Sequence, residues 1–302
     1  MSYRGEHNYL LKDGNYSDYA GVDFSNYSSE GLEKLWRKTL ENGMHGICFS
    51  MYEDGQEPGD TITEEQVERR INILKPYTKW IRSFSCIEGN ENIPRIAHKH
   101  GLKTMVGAWL GDDMEKNEEE IEALIQLGNE GCVDIAAVGN EVLYRNDLTL
   151  EQLLEYMRRV KEALPNVTVG YVDAYYEFSV HPELVDASDV ILSNCYPYWE
   201  GCHIDGSLNH MQQMYGQASD AARGKKVIIT ETGWPSEGSS LRGAVSNREN
   251  AMRYFINTQL WSSKDAIDVF YFSSFDESWK VGAEGDVGAY WGLWDKHEKL
   301  KF

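Results

Sequence analysis

The sequence predicts a (β/α)8 barrel, and three observations carry that prediction. Eight short apolar segments alternate with about seven helical segments along the 302 residues. No glycine-rich phosphate loop follows the first strand, where Tyr52-Glu-Asp-Gly-Gln-Glu-Pro stands, and this disfavours a doubly wound open sheet. No long linker, repeat or low-complexity stretch divides the chain, so one domain suffices.

Taken in order, residues 1–43 read as an extension packed on the barrel and residues 44–302 as the barrel itself. The extension begins polar and rich in Tyr, Asn and Gly. A short strand is predicted over 20–24 and a helix over 29–42, where Leu32, Leu35, Trp36 and Leu40 recur at helical spacing. Strand one covers 46–52. Thr63 opens a helix, with Gln66 three residues on in the manner of a capping box. Strand two covers 80–86; the helix over 93–100 is stopped by Gly101, with His98 and His100 complementing its dipole. Strand three covers 102–109, and the helix over 115–128 starts acidic. Strand four covers 133–141. The helix over 149–164 carries Leu153, Leu154, Met157 and Val160 on one stripe, with Pro165 beyond. Strand five, 167–173, leads into an irregular connection, and strand six, 190–197, into a helix over 208–223. Strand seven runs from Val227 to a carboxylate, Glu231, before Gly233-Trp234-Pro235 breaks it. A helix over 247–262 and strand eight, 268–277, complete the series.

Apolar residues at 41% and aromatics at 12% supply a sizeable core. Lys plus Arg number 29 against 49 Asp plus Glu, a net charge of −20. Such a charge repels nucleic acid and anionic membrane, so neither is expected as a partner, and it suits a neutral or cationic substrate. Five cysteines are odd in number and sparse, which indicates no disulfide framework. Cys48 and Cys86 lie in apolar runs, as buried thiols do. Cys195 and Cys202-His203 lack the paired spacing of a metal site, and no metal or cofactor is expected. No apolar run reaches membrane-spanning length. Without the regions of a signal peptide the chain reads as cytoplasmic, or as secreted or periplasmic if a leader has been removed. A monomer is expected.

In a barrel the C-terminal strand ends converge on one mouth, where active sites lie. Here those ends are Tyr52, Trp109, Asn140 with Glu141, Tyr171 with Asp173, Tyr196, Glu231, and Asp276 with Glu277. Any one strand-end carboxylate is explained as well by an ion pair; their concentration at one rim argues for a site. Two carboxylates on separate strands are the minimum equipment for breaking a glycosidic bond, one protonating the leaving oxygen while the other attacks the anomeric carbon or activates water. Glu141 and Glu231, from strands four and seven, are the best pair. Asn140 is placed to donate to a sugar 2-hydroxyl. Rim aromatics, Trp109 and Trp234 among them, suit stacking on pyranose faces, although several must be barrel packing.

Three stretches, Ala137-Val-Gly-Asn-Glu-Val142, Ile229-Thr-Glu-Thr-Gly-Trp-Pro-Ser236 and Phe272-Ser-Ser-Phe-Asp-Glu-Ser-Trp-Lys280, resemble the signatures of the family 17 glycoside hydrolases. These are β-1,3-glucanases and β-1,3-glucan transglycosylases, retaining enzymes on a (β/α)8 barrel. The resemblance runs from about residue 46 to 295 and includes Asn194-Cys-Tyr-Pro-Tyr198 and Trp291-Gly-Leu-Trp294. It implies Glu141 as general acid/base and Glu231 as nucleophile. It further implies Glu277 and Lys280 at the site, binding substrate and tuning the charge around the nucleophile, with Tyr52 and Tyr196 lining the central sugar subsite. The chain departs from the family at Ser273-Ser274, where Glu-Ala is usual, and at Gly288, where a Glu is common.

The expected function is retaining hydrolysis of β-1,3-glucan chains or oligosaccharides, with a carboxylate separation of about 5 Å. Transglycosylation by the same pair is the alternative. A non-catalytic glucan-binding barrel has no need of two intact glutamates and stands well behind both.

Overall fold

The computed structural model describes residues 20–302. The expected extension over 1–43 therefore lies partly outside the described residues. Eight strands form a closed barrel in chain order: β1 Met44–Cys48, β2 Thr78–Ser83, β3 Lys103–Ala108, β4 Ile135–Asn140, β5 Thr168–Ala174, β6 Ile191–Asn194, β7 Val227–Thr232 and β8 Val269–Tyr271. All pairings are parallel, and β1 closes on β8 with Gly46 opposite Phe270 and Ile47 opposite Tyr271. Closure requires glycine at 46, because a Cβ there would stand 2.5 Å from the Phe270 ring. Around the barrel run α1 Ser29–Glu41, α2 Glu64–Leu74, α3 Asn92–Lys99, α4 Met114–Asn129, α5 Val142–Arg145, α6 Leu150–Ala163, α7 Glu177–Val180, α8 Pro182–Ala187, α9 Ser207–Ala221, α10 Arg248–Asp265 and α11 Val281–Glu284. The irregular connection expected after β5 thus contains two short helices.

Side-chain caps set the helix starts. Thr149 makes a full capping box with Gln152, and Asp113 accepts from the N–H groups of Glu115 and Lys116. At Thr63 the box is only half made. Its hydroxyl accepts from Gln66 N–H at 3.2 Å, but the Gln66 amide turns inward and donates to Met51 O at 2.6 Å, tying α2 to the loop after β1.

Only short helical turns follow β8, and α1 lies against α10 in the outer ring beside that strand. Trp36 is wedged between Phe255 of α10 and Phe302, with ring centroids 5.4 and 5.0 Å away. Residues 20–24 form no strand: Val22 N–H donates to the Asn257 side chain at 2.8 Å, so this backbone has no sheet edge to pair with. Strand eight is also shorter than predicted. Beyond Tyr271 the backbone turns to the segment after it, with Ser273 N–H donating to Trp291 O at 3.0 Å. Register irregularities occur between Ala137 and Asn140, between Ser193 and Asn194, and between Ile229 and Thr232. All three sit at C-terminal strand ends, the rim where bulges re-aim side chains.

Candidate active site

A cleft of about 520 Å³ opens at that rim. It is lined by Tyr52, Trp109, Asn140, Glu141, Glu231, Glu277 and Lys280, which brings together seven of the nine residues singled out from the sequence.

Glu231 leaves β7 into a shell of donors. Arg82 Nη1 reaches its Oε1 at 2.6 Å, Asn194 Nδ2 reaches the same oxygen at 3.2 Å, and the Tyr196 hydroxyl donates to Oε2 at 2.8 Å. Tyr196 is therefore a partner of the carboxylate and lies outside the cleft lining. Arg82 is fully buried, and a buried guanidinium needs several acceptors. It finds them in Glu231, in Thr230 O at 3.1 Å and in Asn140 Oδ1 at 2.8 Å. Burial opposes the charge of Arg82, but Glu231 beside it more than compensates and raises its pKa.

Glu141 ends β4 under different constraints. Its φ of 52° is left-handed, it precedes α5, and its N–H donates to Val172 O at 2.8 Å. A non-glycine residue held there is strained, as residues at functional sites often are. Asn194 Nδ2 donates to Glu141 Oε1 at 2.9 Å as well as to Glu231. Thr230 fixes the direction of that amide by donating its hydroxyl to Asn194 Oδ1 at 2.8 Å. A single nitrogen bonding both carboxylates holds their Oε1 atoms within roughly 6 Å, nearer to the retaining than to the inverting spacing.

Across the cleft, Glu277 accepts from Tyr52 N–H at 3.1 Å and pairs with Lys280 Nζ at 2.9 Å. Lys280 lies over the Phe272 ring at 4.3 Å. Burial works against its charge, yet Glu277, Glu284 and Glu231 raise its pKa. Tyr52 packs edge-on against Trp279 at 5.7 Å. Trp109 is 43% exposed, with the Arg145 guanidinium 4.6 Å from its ring centre.

Trp234, expected beside the sugar path, is instead packing. It is 1% exposed, its indole N–H donates to Val245 O at 2.9 Å, and its ring contacts Tyr198 and Tyr254. The reason lies next door: a Cβ at Gly233 would stand 2.0 Å from Phe272 O, so the chain passes hard against strand eight and buries the next side chain. Asp276 likewise turns away from the cleft, accepting from Lys301 and from Gly292 N–H, each at 2.9 Å. Ser274, at the departure in strand eight, accepts from Ser50 N–H at 2.8 Å while Ser50 accepts from Phe275 N–H at 3.1 Å, a neutral lock between the ends of β1 and β8.

Sequence reasoning missed Arg82, Glu284 and the role of Asn194. Arg82 left a signal, a lone cation inside an apolar strand, which calls for a buried anion. Glu284 lines the cleft with a buried Oε2 that has no hydrogen-bond partner, and burial, then the neighbouring carboxylates against Lys280, push its carboxyl up to about 7. Among the described residues no cluster of three or more His, Cys, Asp or Glu is placed to hold a metal ion.

Paired carboxylates at the mouth of a (β/α)8 barrel, one nitrogen between them, define the machinery of a glycosidase. Residues 46–292 match the BtgE/BtgC glycoside hydrolase domain, and the chain belongs to this family of the family 17 glycoside hydrolases. It is 26% identical over 271 residues to a glucan 1,3-beta-glucosidase of Saccharomyces cerevisiae, covering 81% of this chain and 86% of that one. It is 28% identical to the glucan 1,3-beta-glucosidase BGL2 of Candida albicans, covering 78% and 84%. Among solved structures, a Rhizomucor miehei beta-1,3-glucanosyltransferase active-site mutant in complex with laminaritriose superposes with a TM-score of 0.77 at 30% identity, over 86% of this chain and 96% of that one.

Proposed function

We propose that this cleft breaks β-1,3-glucosidic bonds of glucan chains or laminarin-type oligosaccharides by double displacement, with Glu231 as nucleophile and Glu141 as acid/base. The observation that carries the reading is the single Asn194 amide bonded to both carboxylates. In the first step Glu231 attacks the anomeric carbon as Glu141 gives its proton to the departing glycosidic oxygen, leaving a glucosyl ester on Glu231. In the second, Glu141 takes a proton from the incoming water, whose oxygen displaces Glu231. With Oδ1 of Asn140 engaged by Arg82, its amide nitrogen is the group left to meet a sugar 2-hydroxyl. Tyr52, Trp109 and Trp279 supply ring faces, and the Glu277–Lys280 pair supplies hydroxyl contacts and charge. The cleft is built by one chain, in keeping with a monomer, and a polymeric substrate fits a place of action outside the cytoplasm.

Glu231→Gln removes the nucleophile but keeps the shape. Turnover of laminaritriose falls by on the order of 10⁴-fold or more while binding stays within a few-fold. Undiminished turnover would overturn the assignment. A second reading is favoured by the Rhizomucor relative, a glucanosyltransferase: a sugar hydroxyl replaces water in the second step. Products longer than the substrate in a laminari-oligosaccharide time course decide for it.

A further inference from the structure

Behind Glu141, outside the cleft lining, lies a second carboxyl that the reaction as described does not use. Asp173 on β5 is wholly buried. Its Oδ1 accepts from Ala174 N–H at 2.7 Å, and its Oδ2 accepts from the Tyr171 hydroxyl and, at 3.4 Å, from Tyr144 N–H. Tyr171 in turn accepts from Leu143 N–H at 3.0 Å. Leu143 and Tyr144 belong to α5, the short helix that Glu141 begins and that has no side-chain cap of its own. Tyr171 and Asp173 thus take the place of a cap, holding from below the turn on which Glu141 stands.

We propose that Asp173, working through Tyr171, is the positioning residue of the acid/base: the pair aims Glu141 by gripping α5, the turn on which it stands. The inference rests on the role given to Glu141 above. Asp173 has three donors as partners, none of them a cation, so its bonding is that of an acceptor. Burial, and next the charge of Glu141, push the Asp173 carboxyl well above the ordinary carboxylate range. Burial keeps the Tyr171 phenol protonated and donating.

The test compares laminaritriose, whose leaving sugar needs a proton, with a dinitrophenyl β-laminaribioside, whose leaving group does not. In Asp173→Asn, kcat/KM falls at least ten-fold more for laminaritriose than for the aryl glycoside, because only the former needs an aimed proton donor. Equal losses on both substrates overturn the proposal. Should that variant fail to fold, Tyr171→Phe decides alone: it cuts the bonds that join Asp173 to Leu143 N–H of α5, and the same leaving-group dependence must emerge at constant KM. Glu141→Gln separates the two readings. If it leaves kcat/KM on laminaritriose intact, the acid/base assignment fails; if it abolishes that activity and azide restores turnover of the aryl glycoside, while Asp173→Asn shows equal losses on both substrates, only the present inference fails.

Discussion

Glu231 and Glu141, the two carboxylates to which we assign the reaction, stand in surroundings that differ in kind. Glu231 sits near the end of β7 amid a guanidinium, an amide and a phenol, all donating to it. Glu141 sits on a left-handed residue at the start of a four-residue helix, with a buried carboxyl behind it. The Glu231 side is also closed, with Trp234 sealed into the wall, whereas on the Glu141 side Trp109 stands open to solvent. The tasks proposed for them fit that contrast: a guanidinium complements the charge of Glu231, while Glu141 has the Asn194 amide and the buried Asp173 carboxyl beside it. Rigidity goes with the first, access with the second.

Four substitutions probe this contrast, beginning with the severest. Arg82→Lys strikes the closed side. One ammonium cannot span Glu231, Thr230 O and Asn140 Oδ1 as the planar fork does, so kcat/KM on laminaritriose drops by on the order of 10²–10³-fold. A loss smaller than ten-fold means the donor shell is not what equips Glu231. Next, the aromatic walls are compared. Trp109→Ala raises KM for laminari-oligosaccharides by roughly ten-fold at near-constant kcat, the worth of a lost stacking face, while Trp234→Phe leaves KM within about two-fold and lowers the urea midpoint. The reverse pattern would put the sugar path on the wrong side. Smallest is Glu284→Gln, read as stability. The folded chain holds the Glu284 proton up to about pH 7, against 4.5 when unfolded, so stability is fully present below 4.5 and is lost as pH rises toward 7. The variant lacks this loss, and the gap between its urea midpoints at pH 4.5 and above 7 is narrower than in the parent. An equal gap refutes the elevated proton affinity.

Most of the barrel was legible because a strand covered on both faces must be apolar along its length, and Val227-Ile-Ile advertises that directly. Strand ends were less so. The stretch 268–277 carries Phe272 and Phe275 past Tyr271, yet its hydrogen bonds from Ser273 on turn largely to residues 291–294, a long-range competition that no local pattern reports. Ala20-Gly-Val-Asp-Phe has strand composition but no sheet edge within reach. In the site, Glu141 and Glu231 could be picked out because carboxylates at two strand ends converge once the barrel is granted. Trp234 misled because adjacency to Glu231 in sequence says nothing about which side of the wall a ring takes. Asn194 stood inside a motif whose residues are all plausible partners; only the fold shows that its amide bridges the pair.

The left-handed backbone at Glu141 sets a limit on improving this protein. That geometry favours glycine or asparagine, as at the neighbouring Gly139 with a φ of 86°, yet the acid/base role proposed for Glu141 needs a carboxyl there. Selection for thermal tolerance and selection for turnover therefore pull position 141 in opposite directions. An effort to harden the fold by relaxing its strained residues will reach position 141 early, and it has to stop there to keep a catalyst.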